Sequence, residues 1–474
     1  MRRVFAYWHL LRIFQSDRLQ RCRIMHTLLE VREYAERKNV QKRVYTCVSS
    51  DVVHEGILNI INRAAGLGDL TVGVLTDEVI ASYKRLPFLD TESRRAVYEN
   101  IKGVENTVEQ VTLSYRENLL ALKPDYVVHG DDWRSGFQSR IRQEVIDTLA
   151  EWGGELVEIP YTQGVSMSGL ETSLKEAYAS PDARRGSLKR LLNIKPFLRI
   201  IEASNGLSGL IIENASFVDE DSGQVKTYDG MWVSSLCDSS FKGKPDIELV
   251  DFTSRIRTIE EIMEVTTKPI ILDGDTGGKT EHFVHNVKTL ERIGVSAVII
   301  EDKTGLKQNS LFGTAVAQVQ DDPHVFASKI SAGKRAQKTR DFMIIARIES
   351  LIAGAGMEDA LERARTYIKE GGADGIMIHS KEKDGSEIFE FMELFRREWP
   401  NVPLVLVPTS YNHFTEQALA KRGANIIIHA NHLLRAAYPA MKNVAECILK
   451  NERSLEADEM CLPIKDVLTL IPKE

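Results

Sequence analysis

The stretch Ile271-Leu-Asp-Gly-Asp-Thr-Gly-Gly-Lys279, followed by Val298-Ile-Ile-Glu-Asp-Lys303, decides the fold of the longer part of this chain. Each begins as a short apolar, β-branched run and ends in carboxylates, as buried parallel strands of a functional rim do. The carboxylates at the two strand ends are Asp273, Asp275, Glu301 and Asp302. In a (β/α)8 barrel such ends form the rim on which sites are built, and clustered oxygen ligands suit Mg2+. The sequence therefore predicts a magnesium site, although acidic residues also end strands and cap helices without binding a metal.

Length and composition exclude several classes of protein. With 474 residues, 43% hydrophobic and 27% charged, the chain is predicted to be globular and to form two domains. The net charge of -7 argues against a nucleic-acid-binding protein. The cysteines include no CxxC pair, so neither a disulfide framework nor a zinc site is indicated. No apolar run reaches the length of a membrane span, and we expect a cytoplasmic protein with no membrane partner.

Residues 1–42 are interpreted as an N-terminal extension. Before Met25 it is rich in arginine and contains a single acid, Asp17, among apolar and aromatic residues. A basic, amphipathic and acid-poor segment is typical of an organelle-targeting peptide, so mitochondrial targeting is the alternative location. Met25 could begin the protein as well as Met1, and the sequence leaves both starts open.

Residues 43–170 are predicted to form a Rossmann-like domain. Strands are expected at Val44–Val48, Leu70–Asp77, Tyr126–Asp132 and Glu155–Ile159. They alternate with helical segments such as Ile57–Ala65, which is typical of a parallel sheet that binds ligands at the carboxyl ends of its strands. His54 and Gly56 stand at a helix N-terminus, where free N–H groups and the helix dipole favour phosphates.

This segment resembles the cytidylyltransferase family of nucleotidyltransferases. The resemblance is carried by Asp51-Val-Val-His54-Glu-Gly56, Gly73-Val-Leu-Thr-Asp77, Val128-His-Gly-Asp-Asp-Trp133 and Gln163-Gly-Val-Ser-Met-Ser168. It implies CTP as the ligand, with His54 and Gly56 at the phosphates. The family has a second histidine where this chain has Ile57, which donates no hydrogen bond to a phosphate. We therefore expect a degenerate domain that transfers cytidylyl groups poorly; CTP binding without turnover and an assembly role are left open.

Residues 171–187 are predicted to link the two domains. The stretch Ala179-Ser-Pro-Asp-Ala-Arg-Arg-Gly186 combines Ser, Pro, Gly and charge, as linkers do. The second domain, residues 188–474, is then expected to open with an amphipathic helix over Leu188–Ala203.

The second domain is predicted to be a (β/α)8 barrel. Its eight short apolar runs are Leu210–Ile212, Met231–Ser234, Ile270–Asp273, Ala297–Glu301, Met343–Arg347, Gly375–His379, Leu404–Pro408 and Asn425–His429. Segments of helical periodicity between most of these runs supply the helices that such a barrel needs. With a carboxylate-held Mg2+, Arg347 and His379 at the rim would suit a small di- or trianion. A polar loop from Glu301 to Ser310 could close over that substrate and exclude water.

Over essentially its full length, this half resembles the phosphoenolpyruvate mutase family of the isocitrate lyase superfamily. The matching segments are Asp273-Gly-Asp275-Thr-Gly, Glu301-Asp-Lys-(x)3-Lys307-x-Asn309-Ser310, Trp232-x-Ser234-x-Leu236, Gly243-Lys-Pro-Asp246, Ile345-Ala-Arg347-Ile-Glu349, Met377-Ile-His379-Ser380 and Val407-Pro-Thr-Ser410-Tyr. The resemblance implies interconversion of phosphoenolpyruvate and phosphonopyruvate, in which a phosphoryl group moves from oxygen to carbon. Such a reaction serves the biosynthesis of phosphonates.

The resemblance also implies a role for each residue of the rim. The implied metal residues are Asp273, Asp275 and Glu301, the last two acting partly through water on Mg2+. The implied substrate-binding residues are Trp232, Ser234, Leu236, Arg347 and His379. The implied catalytic residues are Asp246, Lys307, Asn309 and Ser310. Asp246 is either a transient nucleophile or an electrostatic guide, and the sequence does not choose between them.

Phosphonopyruvate hydrolase is the nearest alternative, because it shares nearly all of these residues. Mutases have Asn where hydrolases tend to have Thr, so Asn309 favours the mutase. The loop lacks the cysteine of the lyases of the superfamily, which argues against cleavage of a C–C bond. A bifunctional enzyme that also activates a phosphonate with CTP is the other alternative. Barrels of this superfamily usually exchange a terminal helix between subunits, which implies a homo-oligomer.

Overall fold

The computed structural model describes residues 42–83, 86–134, 138–160, 179–219, 225–304, 307, 309–310 and 319–471. The chain forms two compact units, the first of Met1–Glu171 together with Phe217–Lys226 and the second of Thr172–Ser216 and Thr227–Glu474. Most of the N-terminal extension and the loop Gln163–Ser168 lie outside the described residues. Among the residues described, no helix is both long enough and apolar enough to cross a membrane.

The first unit contains a five-stranded parallel sheet within the described residues, with strand order β3-β2-β1-β4-β5. The strands are β1 Arg43–Val48, β2 Asp69–Leu75, β3 Val104–Gln110, β4 Tyr126–Gly130 and β5 Glu155–Ile159. The helices are α1 Glu55–Ala65, α2 Asp77–Tyr83, α3 Thr91–Glu99, α4 Arg116–Leu122 and α5 Gln138–Ala150, with a 3-10 turn over Asp131–Arg134. The strand order reverses between β1 and β4, and ligands bind at such a point in open α/β sheets.

The predicted Rossmann-like architecture is confirmed, with one strand more than the sequence indicated. Strand β3 reads Val104-Glu-Asn-Thr-Val-Glu-Gln110 and lies at the edge of the sheet. An edge strand needs little apolar character, because one side faces solvent. Because its residues are mostly polar, a search for apolar runs does not detect this strand.

The second unit contains a closed barrel of parallel strands. The barrel strands are β6 Leu198–Glu202, β9 Gly230–Val233, β10 Ile270–Asp273, β11 Ala297–Glu301, β12 Met343–Ile348, β13 Gly375–Ile378, β14 Leu404–Leu406 and β15 Ile426–His429; between β6 and β9 lie the paired strands β7 Ser216–Val218 and β8 Val225–Thr227. The helices are α6 Pro181–Ile194, α7 Gly206–Asn214, α8 Ser235–Phe241, α9 Phe252–Met263, α10 Thr280–Ile293, α11 Pro323–Ala336, α12 Ser350–Ala353, α13 Gly356–Lys369, α14 Ser386–Glu398, α15 Glu416–Lys421, α16 His432–Asn451 and α17 Ile464–Val467, with a 3-10 helix over Leu455–Met460. The predicted (β/α)8 barrel is therefore confirmed.

Side chains alternate between two apolar layers along each barrel strand. Ile271 and Ile299 belong to the cluster that fills the barrel, whereas Leu272 and Val298 belong to the layer between strands and helices. The interior cluster also contains Leu188 of α6. The two layers fix the register of each strand, because a slip of one residue would turn every side chain to the wrong face.

Two predictions at the start of the barrel are wrong. Leu210–Ile212 lies inside helix α7, and the first barrel strand is β6. The helix expected over Leu188–Ala203 runs instead from Pro181 to Ile194, and its last predicted residues form β6. Short apolar runs do not distinguish a buried strand from one face of a helix, which explains the first error.

The residues that suggested a linker are the start of a helix. The Ser180 side chain accepts a hydrogen bond from the Ala183 amide, and Pro181 occupies the first helical turn. Serine before proline is favoured at a helix N-terminus because proline fixes φ and lacks the N–H that would remain unsatisfied there. The part of the predicted linker from residue 181 onward is thus helical, while residues 171–178 lie outside the described part of the chain. The domain boundaries themselves stay a prediction.

Helix α16 has no buried residue. Its exposed apolar side chains include Tyr438, Met441 and Leu449. On α7, Leu207 and Ile211 are also exposed. The homo-oligomer implied by resemblance stays a prediction, which a measurement of mass in solution would test.

The start of α6 packs against the end of α10, and we predict that Gly294→Ala destabilises the protein by disturbing this contact. Gly294 ends α10 with φ at 94°, and a Cβ there would lie 2.7 Å from the Pro181 Cα. Gly294→Ala should therefore cost the strain of a left-handed alanine, about 1–2 kcal/mol, and about 1–3 kcal/mol more for overpacking. Urea unfolding measures both.

The matched control is Gly356→Ala, at φ 91° with no atom within 4 Å of the added Cβ. This variant should lose only the left-handed strain. Equal losses for the two variants would contradict the packing of Pro181 against Gly294.

Candidate active site

The carboxyl-terminal rim of the barrel surrounds one cavity into which most of the predicted residues point. Its lining contains Trp232, Ser234, Leu236, Asp246, Asp273, Lys307, Asn309, Ser310, Arg347 and His379. These residues come from several strand ends and from two segments that follow strands. The structure therefore brings together the predicted substrate-binding and catalytic residues, with Asp273 among them.

Asp273 is held as a carboxylate at the end of β10. One oxygen, Oδ2, accepts hydrogen bonds from the Ser235 hydroxyl at 2.8 Å and the Ser235 amide at 3.2 Å. Burial alone would raise the pKa of Asp273, but the charges of Lys307, Arg347 and Arg255 hold that pKa well below its usual range. The side chain is thus an anion in a fixed orientation, as a metal ligand needs to be.

Asp275 lies behind the cavity, in contact with two cations. Arg255 NH1 donates to Oδ2 at 2.8 Å, and Lys307 Nζ pairs with Oδ1. Its φ is 54°, in the left-handed region that aspartate tolerates better than most residues. If Asp275 acts on a metal as predicted, it would therefore do so indirectly, through the groups that it contacts.

Glu301 ends β11 with both carboxylate oxygens buried. Within the described residues neither oxygen accepts a hydrogen bond, although Arg347 NH1 lies at 3.1 Å and Lys303 Nζ at 3.4 Å. Burial raises the pKa of Glu301 to about 7 against the opposing effect of Arg347. Buried acceptors without donors are costly in a native protein, and water or a cation would satisfy them.

Asp302 was expected at the rim, but its side chain lies on the other side of the strand. Its Oδ2 accepts from the Tyr367 hydroxyl at 2.7 Å and from Arg363 NH1 at 3.2 Å, and both donors come from α13. Consecutive residues of a strand point to opposite faces, so Glu301 and Asp302 cannot both face the cavity. Asp302 is therefore structural.

Lys307 and Asn309 both contact Asp246. Lys307 Nζ donates to Asp246 Oδ1 at 3.0 Å and to the Ser235 hydroxyl at 2.7 Å, and Asn309 Nδ2 donates to Asp246 Oδ2 at 2.8 Å. Lys307 is only 4% exposed. Both oxygens of Asp246 are thus engaged by donors from the segment that follows β11.

Ser310 and Arg347 form the opposite wall of the cavity around Glu349. The Ser310 hydroxyl donates to Glu349 Oε2 at 2.6 Å and accepts from Arg347 NH2 at 2.5 Å. Burial lowers the pKa of His379 to about 3, and Arg347 adds to this effect. His379 is therefore a neutral imidazole that can donate one hydrogen bond to an anionic substrate, while Arg347 supplies positive charge.

Three residues of the site were not singled out from the sequence. Ser235 stood between the predicted Ser234 and Leu236, and its hydroxyl contacts both Asp273 and Lys307. Glu349 appeared only as part of a motif, yet it orients Arg347 and Ser310. Arg255 gave no signal, because it lies on a helix rather than at the end of a strand.

The donor set fits Mg2+ through one direct carboxylate. Among the described residues no three His, Cys, Asp or Glu side chains are grouped as ligands of one ion. Mg2+ is usually held by one or two carboxylates and retains several waters. Asp273 as the direct ligand, with the unsatisfied Glu301 oxygens reached through water, agrees with that chemistry.

In the first unit, His54 and Gly56 meet at the start of α1. His54 is the N-cap residue, and its Nδ1 accepts from the Gly56 amide at 3.2 Å. The ring proton is then on Nε2, which remains a donor, and burial lowers the pKa of His54. Ile57 packs against the apolar cluster between sheet and helices. At the start of α1, the described residues thus offer one histidine donor, His54, because Ile57 has no polar group.

Comparison with known proteins matches both units. A family model described as phosphoenolpyruvate phosphomutase matches residues 188–449, and one described as cytidylyltransferase-like matches residues 46–167. The phosphoenolpyruvate phosphomutase of Tetrahymena pyriformis is 35% identical over 303 residues, 64% of this chain and 95% of that protein. The phosphonopyruvate hydrolase of a Variovorax species is 34% identical over 60% of this chain and 93% of its own length.

A solved structure of a phosphonopyruvate hydrolase in complex with oxalate and Mg2+ is also similar. It is 31% identical, has a TM-score of 0.52, and is matched over 60% of this chain and 94% of its own. The family-model match over residues 188–449 covers all of the barrel strands, from β6 to β15.

We predict opposite stability effects for the two neighbouring carboxyls of β11. Burial raises the pKa of Asp302 to about 6 as well, so its contribution lies in accepting hydrogen bonds rather than in its charge. Asp302→Ala should lower the free energy of unfolding by about 2 kcal/mol, because the buried Tyr367 hydroxyl and Arg363 guanidinium lose their acceptor. Glu301→Gln should be neutral or stabilising. A carboxyl whose pKa is raised on folding disfavours the folded state above its unfolded pKa, and the amide removes that charge. Urea unfolding at neutral pH tests both, and equal losses would contradict the assigned orientations.

Proposed function

Because the chain belongs to the phosphoenolpyruvate phosphomutase family, we propose that its barrel interconverts phosphoenolpyruvate and phosphonopyruvate with Mg2+. The observation that carries this proposal is the contact between Asn309 and Asp246, in a cavity that also contains Arg347 and His379. The reaction breaks the bond from phosphorus to the enol oxygen and forms one to carbon, and no proton is gained or lost. Electrostatic stabilisation and positioning are therefore the main contributions that the protein has to make.

The carboxylate end of the substrate would be bound between strand β9 and helix α8. Ser234 caps α8, and the Leu236 amide in its first turn would donate to an anion there, because the Ser235 amide donates to Asp273 and the Cys237 amide to Ser234. Asp273 would hold Mg2+, with Asp275 and Glu301 assisting through water, and the bound ion would supply positive charge to the enolate and carboxylate oxygens. Trp232 would form part of the floor of the cavity.

The phosphoryl group would be bound on the opposite wall. Arg347 supplies a charge that remains positive at any physiological pH, and His379 supplies a neutral donor. Ser310, whose hydroxyl donates to Glu349 and accepts from Arg347, would hold Arg347 in place on this wall. Asn309 would reach the phosphoryl oxygens from the segment after β11, and the Lys307 ammonium would hold that segment against Asp246. Both walls together fix the two ends of the substrate on either side of the migrating group.

Asp246 is best interpreted as an electrostatic guide. Its two oxygens accept hydrogen bonds from Lys307 and Asn309. Donors to both oxygens reduce the electron density that a carboxylate needs to attack phosphorus. This arrangement supports guidance of the phosphoryl group over formation of an acyl phosphate.

Phosphonopyruvate hydrolysis is the alternative, since a hydrolase at 34% identity is as similar in sequence as the mutases, which are 30–35% identical. The two reactions differ in whether water reaches the migrating group. Asn309 supports the mutase, because an amide that donates to Asp246 occupies space on the side from which water would approach.

We predict that the purified protein, given phosphonopyruvate and Mg2+, forms phosphoenolpyruvate as followed by phosphorus NMR. Asp273→Ala should abolish this activity, because the negative charge that holds the ion is lost. Chelation of Mg2+ should abolish it as well, because the ion itself is removed. The control, Asp374→Ala, removes a carboxylate at the other end of the barrel, where it bonds Lys334 and the Ile344 amide. It should keep its activity. Free phosphate and pyruvate without phosphoenolpyruvate would establish the hydrolase instead.

For the first unit we propose a cytidylyltransferase-like fold with poor transfer activity. His54 alone would contact the phosphates of CTP, and restoring a donor by Ile57→His should raise pyrophosphate release by about a hundredfold to a thousandfold if the rest of the site is intact. Calorimetry with CTP measures binding separately from turnover. Efficient turnover of CTP with a phosphonate acceptor by the unaltered protein would contradict this proposal and support the bifunctional enzyme.

A further inference from the structure

We infer that Arg255 is the positioning residue for Asp275. It holds one carboxylate oxygen, Oδ2, so that the other oxygen, Oδ1, pairs with the Lys307 ammonium. Arg255 lies in the first turn of α9 and is 5% exposed. It does not line the substrate cavity and acts on it through Asp275 and through Asp273, whose carbonyl it also contacts. The inference rests on the proposed function, because it takes the rim around Asp273 as the reacting site.

The guanidinium of Arg255 connects two neighbouring strand ends. NH1 donates to the Asp273 carbonyl at 2.5 Å and to Asp275 Oδ2 at 2.8 Å, and NH2 lies 3.3 Å from the Val233 carbonyl. A guanidinium presents its donors in a rigid planar fork, so these contacts fix one another. The ends of β9 and β10 and the carboxylate of Asp275 are therefore held by a single group.

The orientation of Asp275 decides where the Lys307 ammonium lies. Arg255 occupies Oδ2, which leaves Oδ1 to pair with Lys307. The same ammonium bonds Asp246 at 3.0 Å. Rotation of the Asp275 carboxylate would thus move the ammonium relative to Asp246 and to the reacting group.

Asp275 carries the nearest negative charge to Arg255, and Asp238, whose Oδ1 also pairs with Lys242, adds a longer contact from the other side. Asp238 is fully buried, its Oδ2 lies 3.6 Å from Arg255 Nε, and its Oδ1 accepts from the Thr258 hydroxyl at 2.9 Å. Burying a charge without a partner costs several kcal/mol. The two carboxylates therefore account for the presence of an arginine in the layer between strands and helices, where an apolar residue would ordinarily pack.

A cavity lies beside Arg255 on the outer side of the Asp273–Asp275 turn. It has a volume of about 280 Å3, and its lining includes Glu248, Asp251, Phe252, Asn286 and Arg255 itself. A free guanidinium ion is small enough for this space. It could therefore take the place of the Arg255 head group in a variant that lacks it.

The test is Arg255→Ala, measured by turnover and by Mn2+ binding in electron paramagnetic resonance. We expect kcat to fall about a hundredfold with little change in KM, as misplacement of a catalytic group by about 1 Å does. Mn2+ should bind more tightly than to the unaltered protein, because a positive charge beside Asp275 is gone. Guanidinium at non-denaturing concentration should reverse both effects, whereas urea should not.

Arg255→Lys separates orientation from charge. The lysine keeps the positive charge but cannot reach the three oxygen acceptors at once. Its Mn2+ affinity should match that of the unaltered protein while its kcat stays low. Full activity of Arg255→Lys would overturn the inference, since charge alone would then suffice.

Arg184→Ala is the matched control. Arg184 is 4% exposed and bonds the carbonyls of Met263 and Thr266 at the other end of α9. It should lose stability with no change in Mn2+ binding and no response to guanidinium.

The inference is overturned if Arg255→Ala binds Mn2+ more weakly, has a lower kcat, and recovers neither property when guanidinium is added. Arg255 would then have only a structural role. If the unaltered protein converts phosphonopyruvate to neither product, the proposed function fails. The Mn2+ affinities and their response to guanidinium then decide the inference alone.

Discussion

Balance of buried charge at one end of the barrel is the constraint on which the site depends. Asp273, Asp275, Glu301 and Glu349 are all nearly inaccessible to water, and so are Lys303, Lys307, Arg255 and Arg347. Each of these ions would be costly to bury alone. Packed together they hold one another in fixed orientations, and that rigidity is what electrostatic catalysis requires, because the dipoles and charges need not reorganise during the reaction. Glu301 stands apart, with oxygens that no donor within the described residues satisfies.

The barrel makes this concentration of charge possible. All of its strands are parallel, so their carboxyl ends meet at one rim. The apolar layers inside and outside the strands bury large residues and fix each register, which provides stability that the rim itself does not supply. The charged groups can then be arranged for function rather than for folding. Glu301 and Asp302 illustrate this division of roles. Glu301 ends β11 and belongs to the charged site, whereas the next residue, Asp302, bonds Tyr367 of α13.

In the first unit, the described part of the predicted nucleotide site is the start of α1, with His54 and Gly56. The His54 ring is engaged with its own helix N-terminus, and the neighbouring Ile57 contributes to the core. Elsewhere at the strand ends, charges pair with each other: Glu158 accepts from both Arg134 and Arg142. At the start of α1, the described residues therefore offer one imidazole, that of His54. The cytidylyltransferase-like fold is present, and the weak transfer proposed for it rests on Ile57, which offers no hydrogen-bond donor.

The sequence by itself determined the class of both units and most of the rim. Apolar runs that end in polar residues are sufficient to locate buried parallel strands, and the carboxyl ends of such strands must meet. Asp273, Glu301, Arg347 and His379 follow from that rule alone. The rule fails where an apolar run is short, as at Leu210–Ile212, and where an edge strand is polar, as at β3.

Only the tertiary structure decided which side chains touch. Arg255 lies on a helix twenty residues before Asp275, which it contacts. The rule that locates strand ends does not predict which residues of a helix face the site. Ser235 acquires its role from Asp273 and Lys307, Glu349 from Ser310 and Arg347, and Asp246 acquires both of its donors from the segment after β11. Contacts of this kind depend on how helices pack against the sheet and on which rotamers the packing permits, and neither is encoded in the local pattern of residues.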